Sequence, residues 1–280
     1  MISVILPTFN SENTIEKCIE SVLNQSYEHF ELIIIDNCSS DKTTEIISKF
    51  QDERLKLLSI SNNGVIAKSR NLGIANSKYD YICFIDSDDL WANKKLQFVY
   101  DHICEGYEFI FHDCYIVKDI DDLSNNKKFG YILNNKLMLH EHLLEKGNCI
   151  INSSVAVKKS LLRKVCPLNE RKEISGCEDY FLWLEITKNT NRYAYIDECL
   201  GYYLDDGNNF SNPKRSKSNS LSIIRDVFNF KHIPNWLIYK YCIACFKLGK
   251  KDDLYYSLLP RYKLTFNFLS LKILFLRLYR

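Results

Sequence analysis

Short, mostly apolar runs alternate with stretches of helical periodicity over the first 90 residues of the chain. The pattern predicts four strands, at Ile2–Leu6, Phe30–Ile35, Leu55–Ile60 and Tyr81–Ile85, of which the second and the fourth are expected to be buried. Between them, apolar residues recur every three to four positions and predict amphipathic helices. The first such helix presents one apolar face, formed by Ile15, Cys18, Ile19, Val22 and Leu23. This alternation is typical of a parallel, doubly wound α/β sheet with right-handed crossovers.

The rhythm changes after Tyr107. FIFHDCYIV and AYIDECLGYYL predict strands, and the polar segment DIDDLSNNKKFG predicts a loop or a hairpin. Leu137–Leu144 is a short helix candidate. CIINSSVAVKKSLLRKV predicts a strand carrying Ser153 and Ser154 and then a helix, and ISGCEDYFLWLEITKN predicts a helix entered at Ser175. We therefore expect a mixed sheet in this half.

Two polar pairs have the spacing of a capping box, which marks the first turn of a helix. They are Asn13 with Glu16, and Ser175 with Glu178. We expect a helix to start at each of them.

Charge divides the chain into an acidic body and a basic tail. The net charge is only +2, but residues 211–280 contain 14 Lys and Arg against 3 Asp and Glu, whereas the remainder contains 23 against 32. The segment SNPKRSKSNS, residues 211–220, has the composition of a linker. We expect a main domain over 1–210, with halves 1–105 and 106–210, and a basic aromatic helical tail over 211–280.

Cysteine usage and hydropathy argue against a disulfide-rich secreted protein and against a membrane-spanning protein. The eleven cysteines follow no framework spacing and lie mostly in apolar runs, which favours reduced thiols. Cys242 and Cys245 form a lone CxxC, more typical of two thiols on a helix face than of a zinc or redox site. No charged and apolar leader precedes the first strand, and no run of about 18 apolar residues occurs, so we expect neither a signal peptide nor a membrane span.

Three carboxylates directly follow the fourth predicted strand, at Asp86, Asp88 and Asp89. Like charges this close repel each other unless a cation or hydrogen-bond donors share them. Ligands of open α/β sheets bind at the carboxyl ends of the strands, and Mg²⁺ and Mn²⁺ prefer oxygen ligands. The turn is therefore a candidate site for a metal ion and a diphosphate. The alternative is a solvated turn in which Asp88 or Asp89 caps a helix predicted over LWANKKLQFVY.

Four stretches, in this order, resemble the family 2 glycosyltransferases: VILPTFN with its following helix, IIIDNCSSDKT, NNGVIAKSRNLGIANSKYDYICFIDSDD and SGCEDYFLWLEI. The resemblance spans Ile2 to Leu204. It implies the GT-A fold, a Rossmann-like sheet with a DxD metal site, and transfer of a sugar from a nucleotide diphosphate with inversion. The QxxRW element of processive synthases is missing, because Asn235 precedes Trp236. We therefore expect addition of one sugar.

The resemblance implies a donor site at the carboxyl ends of the strands. Asp36 matches the acid that reads the nucleobase, a uracil in most relatives, and Asp88 matches the metal-binding acid of the DxD motif, with Asp86 as the acid that faces the ribose and a second metal ligand. Arg70 and Asn71 match a pair of helix residues beside the base and ribose, although a solvated helix charge is the alternative for Arg70. The implied nucleotide-sugar-binding residues are Pro7, Thr8, Asn10, Asp36, Arg70, Asn71, Asp86 and Ser87.

The resemblance also implies the catalytic and acceptor residues. Asp179 matches the catalytic base and Glu178 its supporting acid, although Glu178 also suits a helix cap. Ser153, Ser154 and Trp183 are acceptor-site candidates. The implied cofactor is Mn²⁺ or Mg²⁺.

The expected partners are a UDP-sugar donor, with galactose or glucose favoured, and a lipid-diphosphate-linked N-acetylhexosamine or oligosaccharide acceptor of surface polysaccharide synthesis (O-antigen or capsule). The apolar and basic segment FNFLSLKILFLRLYR suits a membrane surface, so we expect a peripheral protein on the cytoplasmic face of the inner membrane. The alternative is a tail that packs on the main domain. No nucleic-acid-binding motif accompanies the basic charge, and we expect no nucleic-acid partner.

Three other functions compete with this reading. A different acceptor, such as a lipooligosaccharide core or a protein glycan, fits the same motifs. A nucleotidyltransferase would carry a Gly-rich and basic triphosphate loop after the first strand, which PTFNSENT is not. A non-catalytic sugar-nucleotide-binding module would lack the base, whereas Asp179 is present.

Overall fold

The computed structural model describes residues 1–124, 126–130, 137–205 and 212–261. The strands are β1 (Ile2–Thr8), β2 (Phe30–Asp36), β3 (Leu55–Ser59), β4 (Tyr81–Phe84), β5 (Leu90–Trp91), β6 (Phe109–Val117), β7 (Lys127–Phe129), β8 (Ala156–Lys158) and β9 (Tyr193–Leu204). The helices are α1 (Ile15–Leu23), α2 (Thr43–Ser48), α3 (Ile66–Asn76), α4 (Lys95–Cys104), α5 (Leu139–Lys146), α6 (Lys159–Val165), α7 (Glu178–Asn189), α8 (Pro213–Asp226) and α9 (Asn235–Leu248). Two 3₁₀ turns lie at Asn152–Ser154 and Lys172–Ile174.

The described residues form one nine-stranded mixed sheet in the order β3-β2-β1-β4-β8-β6-β9-β5, with β7 paired to β6. The strands β3, β2, β1 and β4 are mutually parallel. Beyond β4 the sheet continues with the antiparallel strand β8, and β6 and β9 form a further parallel pair. The predicted α/β class and the mixed second half are confirmed. The sequence predicts a loop or a hairpin for the polar segment DIDDLSNNKKFG. The antiparallel pairing of β6 with β7 shows that it is part of a hairpin.

Three of the four parallel strands, β1, β2 and β4, are buried over their whole length, whereas the edge strand β3 is partly exposed. Mostly apolar runs predict such burial, although β1 and β2 also bury the polar residues Ser3, Thr8, Glu31 and Asp36. Helix α3 lies close against β1 because Gly73 has no side chain. A Cβ at Gly73 would lie 2.6 Å from Cγ2 of Ile5, closer than two carbon atoms approach. This close packing fixes the helix that carries Arg70.

The predicted helix starts are wrong at three places. Helix α1 begins at Ile15, so Asn13 lies one residue too early to be its cap. Helix α7 begins at Glu178 after Cys177, so Ser175 is not its cap. The short strand β5 follows the acidic turn and α4 begins only at Lys95, which excludes Asp88 and Asp89 as caps. At the third place, Leu90 and Trp91 pair with β9, and this tertiary pairing overrides the local helix signal.

The first of two compact units consists of Met1–Lys136 and Cys149–Gly207 and contains the whole sheet. The second consists of Leu137–Asn148 and Asn208–Arg280 and contains α5, α8 and α9. The segment 211–220 is not a linker where it is described, because α8 starts within it. The Asn212 side chain accepts hydrogen bonds from the N–H groups of Lys214 and Arg215, and proline occupies the first helical position.

The second unit has its own small core. Trp236 of α9 packs on Gly147 and donates from Nε1 to the carbonyl of Leu144 at 3.1 Å. Tyr241 donates to the Asp252 carboxylate, which also pairs with Lys217. The segment FNFLSLKILFLRLYR, on which the membrane prediction rests, lies outside the described residues. Among helices inside them, none combines the length and apolar character needed to cross a bilayer.

All eleven cysteines lie among the described residues, and each is a free thiol. Cys242 and Cys245 are both buried on α9. The prediction of reduced thiols and of a helix-face pair agrees with this arrangement. Cys38 and Cys104 are exposed, so burial is not general.

Candidate active site

The carboxyl ends of β1, β2 and β4 meet at one edge of the sheet. Strands β1 and β2 are in register, with Thr8 opposite Asp36, and β4 lies on the other side of β1. Asp86 follows β4 by two residues. Three sequence-predicted residues from distant parts of the chain are therefore brought to the edge where ligands of open α/β sheets bind.

Hydrogen bonds fasten the loop after β1 to the loop after β2. Oδ1 of Asn10 accepts the N–H of Ser40 at 2.8 Å, and the N–H of Asn10 donates to Oγ of Ser39 at 2.9 Å. The Ser39 hydroxyl donates in turn to the buried Asp36 carboxylate. Asn10 has a left-handed backbone with φ of 48°, which Asn tolerates because its short side chain bonds locally. Asn10 and Asp36 therefore shape this pair of loops together.

Phe9 stands exposed in the same loop. Its relative exposure is 55%, although the neighbouring Thr8 is buried. The Thr8 hydroxyl has no hydrogen-bond partner within the part of the chain that the structure describes. An open aromatic face is a platform on which a nucleobase can stack. The sequence reasoning missed Phe9, although a lone aromatic residue in the polar loop PTFNSEN was the available signal.

A tight turn after β4 carries the three carboxylates. The N–H of Asp89 donates to the Asp86 carbonyl at 3.0 Å and closes the turn. Asp89 itself is buried, and its carboxylate accepts hydrogen bonds from the Ser153 hydroxyl and from the N–H of Leu204. Asp86 and Asp88 are partly exposed. Asp89 therefore stabilises the turn from inside, and Asp86 and Asp88 keep access to solvent.

The turn concentrates negative charge that perturbs its neighbours. Burial raises the pKa of the Asp89 carboxyl well above its usual range, and the charges of Asp88 and Asp86 raise it further. Burial and the same carboxylates also raise the pKa of the Cys18 thiol and of the Tyr203 hydroxyl. A place where several groups are driven towards their neutral forms is a place that a cation stabilises.

Arg70 of α3 connects the acidic turn to the start of α7. Its Nη2 donates to Oδ1 of Asp86 at 2.8 Å, and its Nη1 donates to Oε1 of Glu178 at 2.6 Å. Arg70 is only 3% exposed. Burial alone would lower the pKa of the guanidinium, but the two carboxylates outweigh burial and raise it. The alternative of a solvated helix charge is wrong for Arg70.

Two acids open α7 and have different surroundings. Oε2 of Glu178 accepts the N–H of Gly176, so Glu178 both bonds the backbone before its helix and pairs with Arg70. Oδ1 of Asp179 accepts the N–H of Tyr180 at 2.7 Å. Burial and then the charge of Glu178 raise the pKa of Asp179 to about 6, against the lowering effect of Arg70. Asp179 is therefore ionised at neutral pH and more basic than an ordinary aspartate.

Asn71 holds a later loop in place. Its Nδ2 donates to the Leu168 carbonyl at 3.1 Å and to Glu170 at 2.8 Å, and its Oδ1 accepts the N–H of Leu168 at 2.8 Å. The side chain is thus engaged with this loop on both its donor and its acceptor. Its implied position beside the base and ribose stays a prediction.

The three acceptor-site candidates are all buried, and their role at the acceptor stays a prediction. The Ser153 hydroxyl bonds to the acidic turn, and the Ser154 hydroxyl donates to a backbone carbonyl of its own 3₁₀ turn. Trp183 is 0% exposed and packs on the ring of Phe109. Both serines lie in the turn before β8 and not on the strand. A strand-and-helix pattern shows that such residues are near a site but not that they face into it.

The acids of the turn fit a metal ion that is shared with a substrate. In the described ranges, no three His, Cys, Asp or Glu side chains converge as a protein-only metal site. A hard divalent ion does not need such a set, because Mg²⁺ is commonly held by one or two carboxylates and substrate phosphates. Asp88 and Asp86 provide two partly exposed carboxylates in a region of surplus negative charge.

This arrangement of sheet and loops is the GT-A glycosyltransferase fold. The mannosyltransferase PcManGT from Pyrobaculum calidifontis, solved in complex with GDP-Man and Mn²⁺, is similar with a TM-score of 0.61 and 17% identity, over 95% of this chain and 80% of that chain. Likeness at this identity shows the fold alone.

The chain belongs to glycosyl transferase family 2, whose model matches residues 3–165. It is similar to two glucosyltransferases of Escherichia coli. WfgD is 29% identical over 81% of this chain and 86% of its own length, and WfaP is 36% identical over 68% and 74%. Both are named UDP-Glc:α-D-GlcNAc-diphosphoundecaprenol β-1,3-glucosyltransferases.

Proposed function

We propose that the protein is an inverting, metal-dependent glycosyltransferase that transfers a hexose from a UDP-sugar in β linkage to a lipid-diphosphate-linked N-acetylhexosamine. Its place would be the assembly of a surface polysaccharide such as O-antigen or capsule. The names of WfgD and WfaP support both the UDP-sugar donor and the lipid-linked acceptor. Between galactose and glucose, those names favour glucose.

The observation that carries this proposal is the ion-pair chain from Asp86 through Arg70 to Glu178, with Asp179 beside it. The chain connects a turn suited to a diphosphate with a carboxylate suited to take a proton. A pKa of about 6 leaves Asp179 mostly deprotonated at neutral pH. General bases work best when their pKa lies near the working pH.

Asp179 would act on the acceptor. As the acceptor hydroxyl oxygen attacks the anomeric carbon, the Asp179 carboxylate takes the hydroxyl proton, and the bond to the nucleotide diphosphate breaks on the opposite face. Attack from the opposite face inverts the anomeric centre, so an α-linked donor gives a β-linked product. We assign no second carboxylate as a covalent nucleophile, so the proposed transfer is a single displacement and not a double one that would retain the anomeric configuration.

The donor end of the site would be formed by the loop pair and the acidic turn. Phe9 offers its exposed face to the base, and Asp36 and Asn10 hold the loops around it. Asp88 with Asp86 would hold Mn²⁺ or Mg²⁺, and this ion, when bound, neutralises the charge that develops on the leaving diphosphate. Further implied donor contacts are Pro7, Thr8, Arg70, Asn71 and Ser87.

The second unit would bring the protein to the cytoplasmic face of the inner membrane. Its described residues 212–261 contain 10 Lys and Arg against 3 Asp and Glu. Phe230, Phe246 and Tyr256 are exposed on it. Cations and exposed aromatic rings together favour an anionic lipid surface. Such a location suits an acceptor carried on a lipid.

Transfer assays with a panel of UDP-sugars test the donor proposal. With Mn²⁺ and a synthetic N-acetylglucosamine-diphosphate-lipid, we expect one UDP-hexose to give a β-linked product, and chelation with EDTA to abolish it. An α-linked product would refute inversion. Metal-dependent UDP binding without any product would indicate a wrong acceptor or a non-catalytic module. Absence of UDP binding would refute the donor assignment.

The acidic limb of the pH–rate profile is expected to shift in a Glu178→Gln variant. Wild-type kcat/KM should rise with pH through an apparent pKa of about 6, because Asp179 must lose its proton to act. Removing the Glu178 charge removes an influence that raises the Asp179 pKa and frees Arg70 to lower it. The limb should therefore move to lower pH. A limb that stays in place or moves upward would contradict this electrostatic account.

A further inference from the structure

The 3₁₀ turn Asn152–Ser154 reaches the acidic turn from a distant part of the sequence. Oγ of Ser153 accepts the N–H of Asp86 at 3.0 Å and donates to the Asp89 carboxylate. Nδ2 of Asn152 donates to Oδ1 of Asp86 at 3.2 Å. This 3₁₀ turn thus contacts the backbone and the carboxylate of Asp86 at the start of the acidic turn, and the carboxylate of Asp89 at its end.

These contacts hold Asp88 from both sides. The residue two positions before it is tied to Ser153 through its backbone, and the residue after it is tied to Ser153 through its carboxylate. Asp89 is fixed further by the Leu204 N–H at 3.1 Å. The Ser153 hydroxyl therefore bridges Asp86 and Asp89, the residues on either side of Ser87 and Asp88, and adds to the other contacts that fix the backbone of the turn.

Ser153 is itself immobilised by donors to its carbonyl. Nε1 of Trp91 and Nζ of Lys95 each donate to the Ser153 carbonyl at 2.8 Å. Lys95 is fully buried, and its Nζ lies 3.3 Å from the centre of the Trp91 ring. A lysine rarely occupies the interior of a protein unless its ammonium group is paired. Its place here is explained by the carbonyl and the ring that it holds together.

We propose that Ser153 is a positioning residue for the donor diphosphate and its metal ion, supported by Trp91 and Lys95. It touches neither the sugar nor the reacting atoms. Its hydroxyl fixes the acidic turn in the conformation that presents Asp88, so that the carboxylate does not need to be ordered when the ion binds. The inference deepens the proposed function and rests on it for the identity of the ligand, but not for the role of the hydroxyl in the turn.

Ser153→Ala tests the proposal, with Ser154→Ala as its matched control. Both serines are buried in the same 3₁₀ turn and each hydroxyl makes a hydrogen bond, but the Ser154 hydroxyl, among the residues that the structure describes, bonds only the Ile151 carbonyl. The first measurement is amide hydrogen exchange of the full chain without ligands. We expect the amides of residues 86–90 to exchange about tenfold faster in Ser153→Ala, the effect of losing about one buried hydrogen bond. Ser154→Ala should leave them at the wild-type rate.

The second measurement uses calorimetry to find the Mn²⁺ concentration at which UDP binding is half-maximal. We expect an increase of about tenfold for Ser153→Ala and less than about twofold for Ser154→Ala, with similar decreases in Tm for both variants. Equal exchange rates or equal Mn²⁺ requirements in the two variants would overturn the proposal and leave Ser153 as an ordinary buried serine. If wild-type protein binds no UDP with Mn²⁺, the donor proposal fails, and the exchange measurement still decides the role of Ser153.

Discussion

An Asp179→Asn variant is expected to lose about 10³-fold in kcat, the usual contribution of a general base, and yet to unfold at a higher urea concentration than the wild type at pH 7.5. The amide can still accept the Tyr180 N–H, so the local fold is kept. It cannot take a proton from the acceptor. It also does not carry a charge that is costly to hold beside Glu178 in a partly buried position.

The stability gain depends on pH in a defined direction. The pKa of Asp179 is raised from its ordinary value of 3.8 to about 6 in the folded protein. Its carboxyl therefore favours the fold when protonated, fully below pH 4, and this contribution is lost as the pH rises through 6. An asparagine side chain is neutral at every pH in this range, so the variant keeps this stabilising contribution. The variant should gain at most about 3 kcal/mol at pH 7.5 and only about 1 kcal/mol at pH 4.5.

Urea unfolding at pH 7.5 and pH 4.5 measures this gain, and Asp52→Asn is the matched control. Hydrogen bonds from Arg54 lower the pKa of Asp52, so its charge favours the fold at neutral pH. Asp52→Asn should therefore lose stability at pH 7.5, the opposite sign. An active Asp179→Asn enzyme would mean that another group is the base. An unchanged urea midpoint would mean that the Asp179 pKa is not raised.

An Arg70→Met variant is expected to lose about 3–5 kcal/mol of unfolding free energy, the loss typical when one partner of a buried ion pair is removed. Met fills part of the space but leaves Asp86 and Glu178 without their shared cation. The change also removes the charge that lowers the Asp179 pKa. The acidic limb of kcat/KM should therefore shift to higher pH, opposite to its shift in Glu178→Gln.

Equilibrium urea unfolding of four proteins tests this ion pair: wild type, Arg70→Met, Glu178→Gln and the double variant. Because the double variant removes one stranded carboxylate, it should recover part of the loss. Arg54→Met is the control, since its pair with Asp52 is about one-quarter exposed on each side and should cost about 1 kcal/mol or less. A loss at Arg70 no larger than the loss at Arg54 would refute the buried-network account.

The fold of the parallel half follows from the sequence because its information is local. The run Phe30–Ile35 is apolar at every position except Glu31, which is the pattern typical of a strand covered on both faces. The SNPKRSKSNS segment shows the limit of local signals. Asn followed by Pro predicts a turn, but the same pair also forms a helix start with Asn as the cap and Pro in the first turn. Asn212 and Pro213 form the start of α8 in this way.

The candidate site could be predicted only in outline. The acids of the turn and of α7 stand out because carboxylates directly after apolar or turn residues are conspicuous. The role of Arg70 cannot be recognised in this way, because its hydrogen bond to Glu178 spans 108 positions of the chain. The place of Ser153 beside the acidic turn is equally hard to predict from the sequence. Its partners Asp86 and Asp89 are more than 60 positions away, and no periodicity encodes them.

The contacts that Ser153 and the Leu204 N–H make with the acidic turn have a consequence for the folding of the chain during synthesis. Strand β4 and its carboxylates emerge early from the ribosome, but the groups that fix them, Ser153 and the Leu204 N–H, are translated much later. Contacts of such long sequence separation form late because their loop-closure entropy must first be overcome. The acidic turn is therefore expected to become ordered only after the chain has been synthesised as far as Leu204, when β9 can join the sheet.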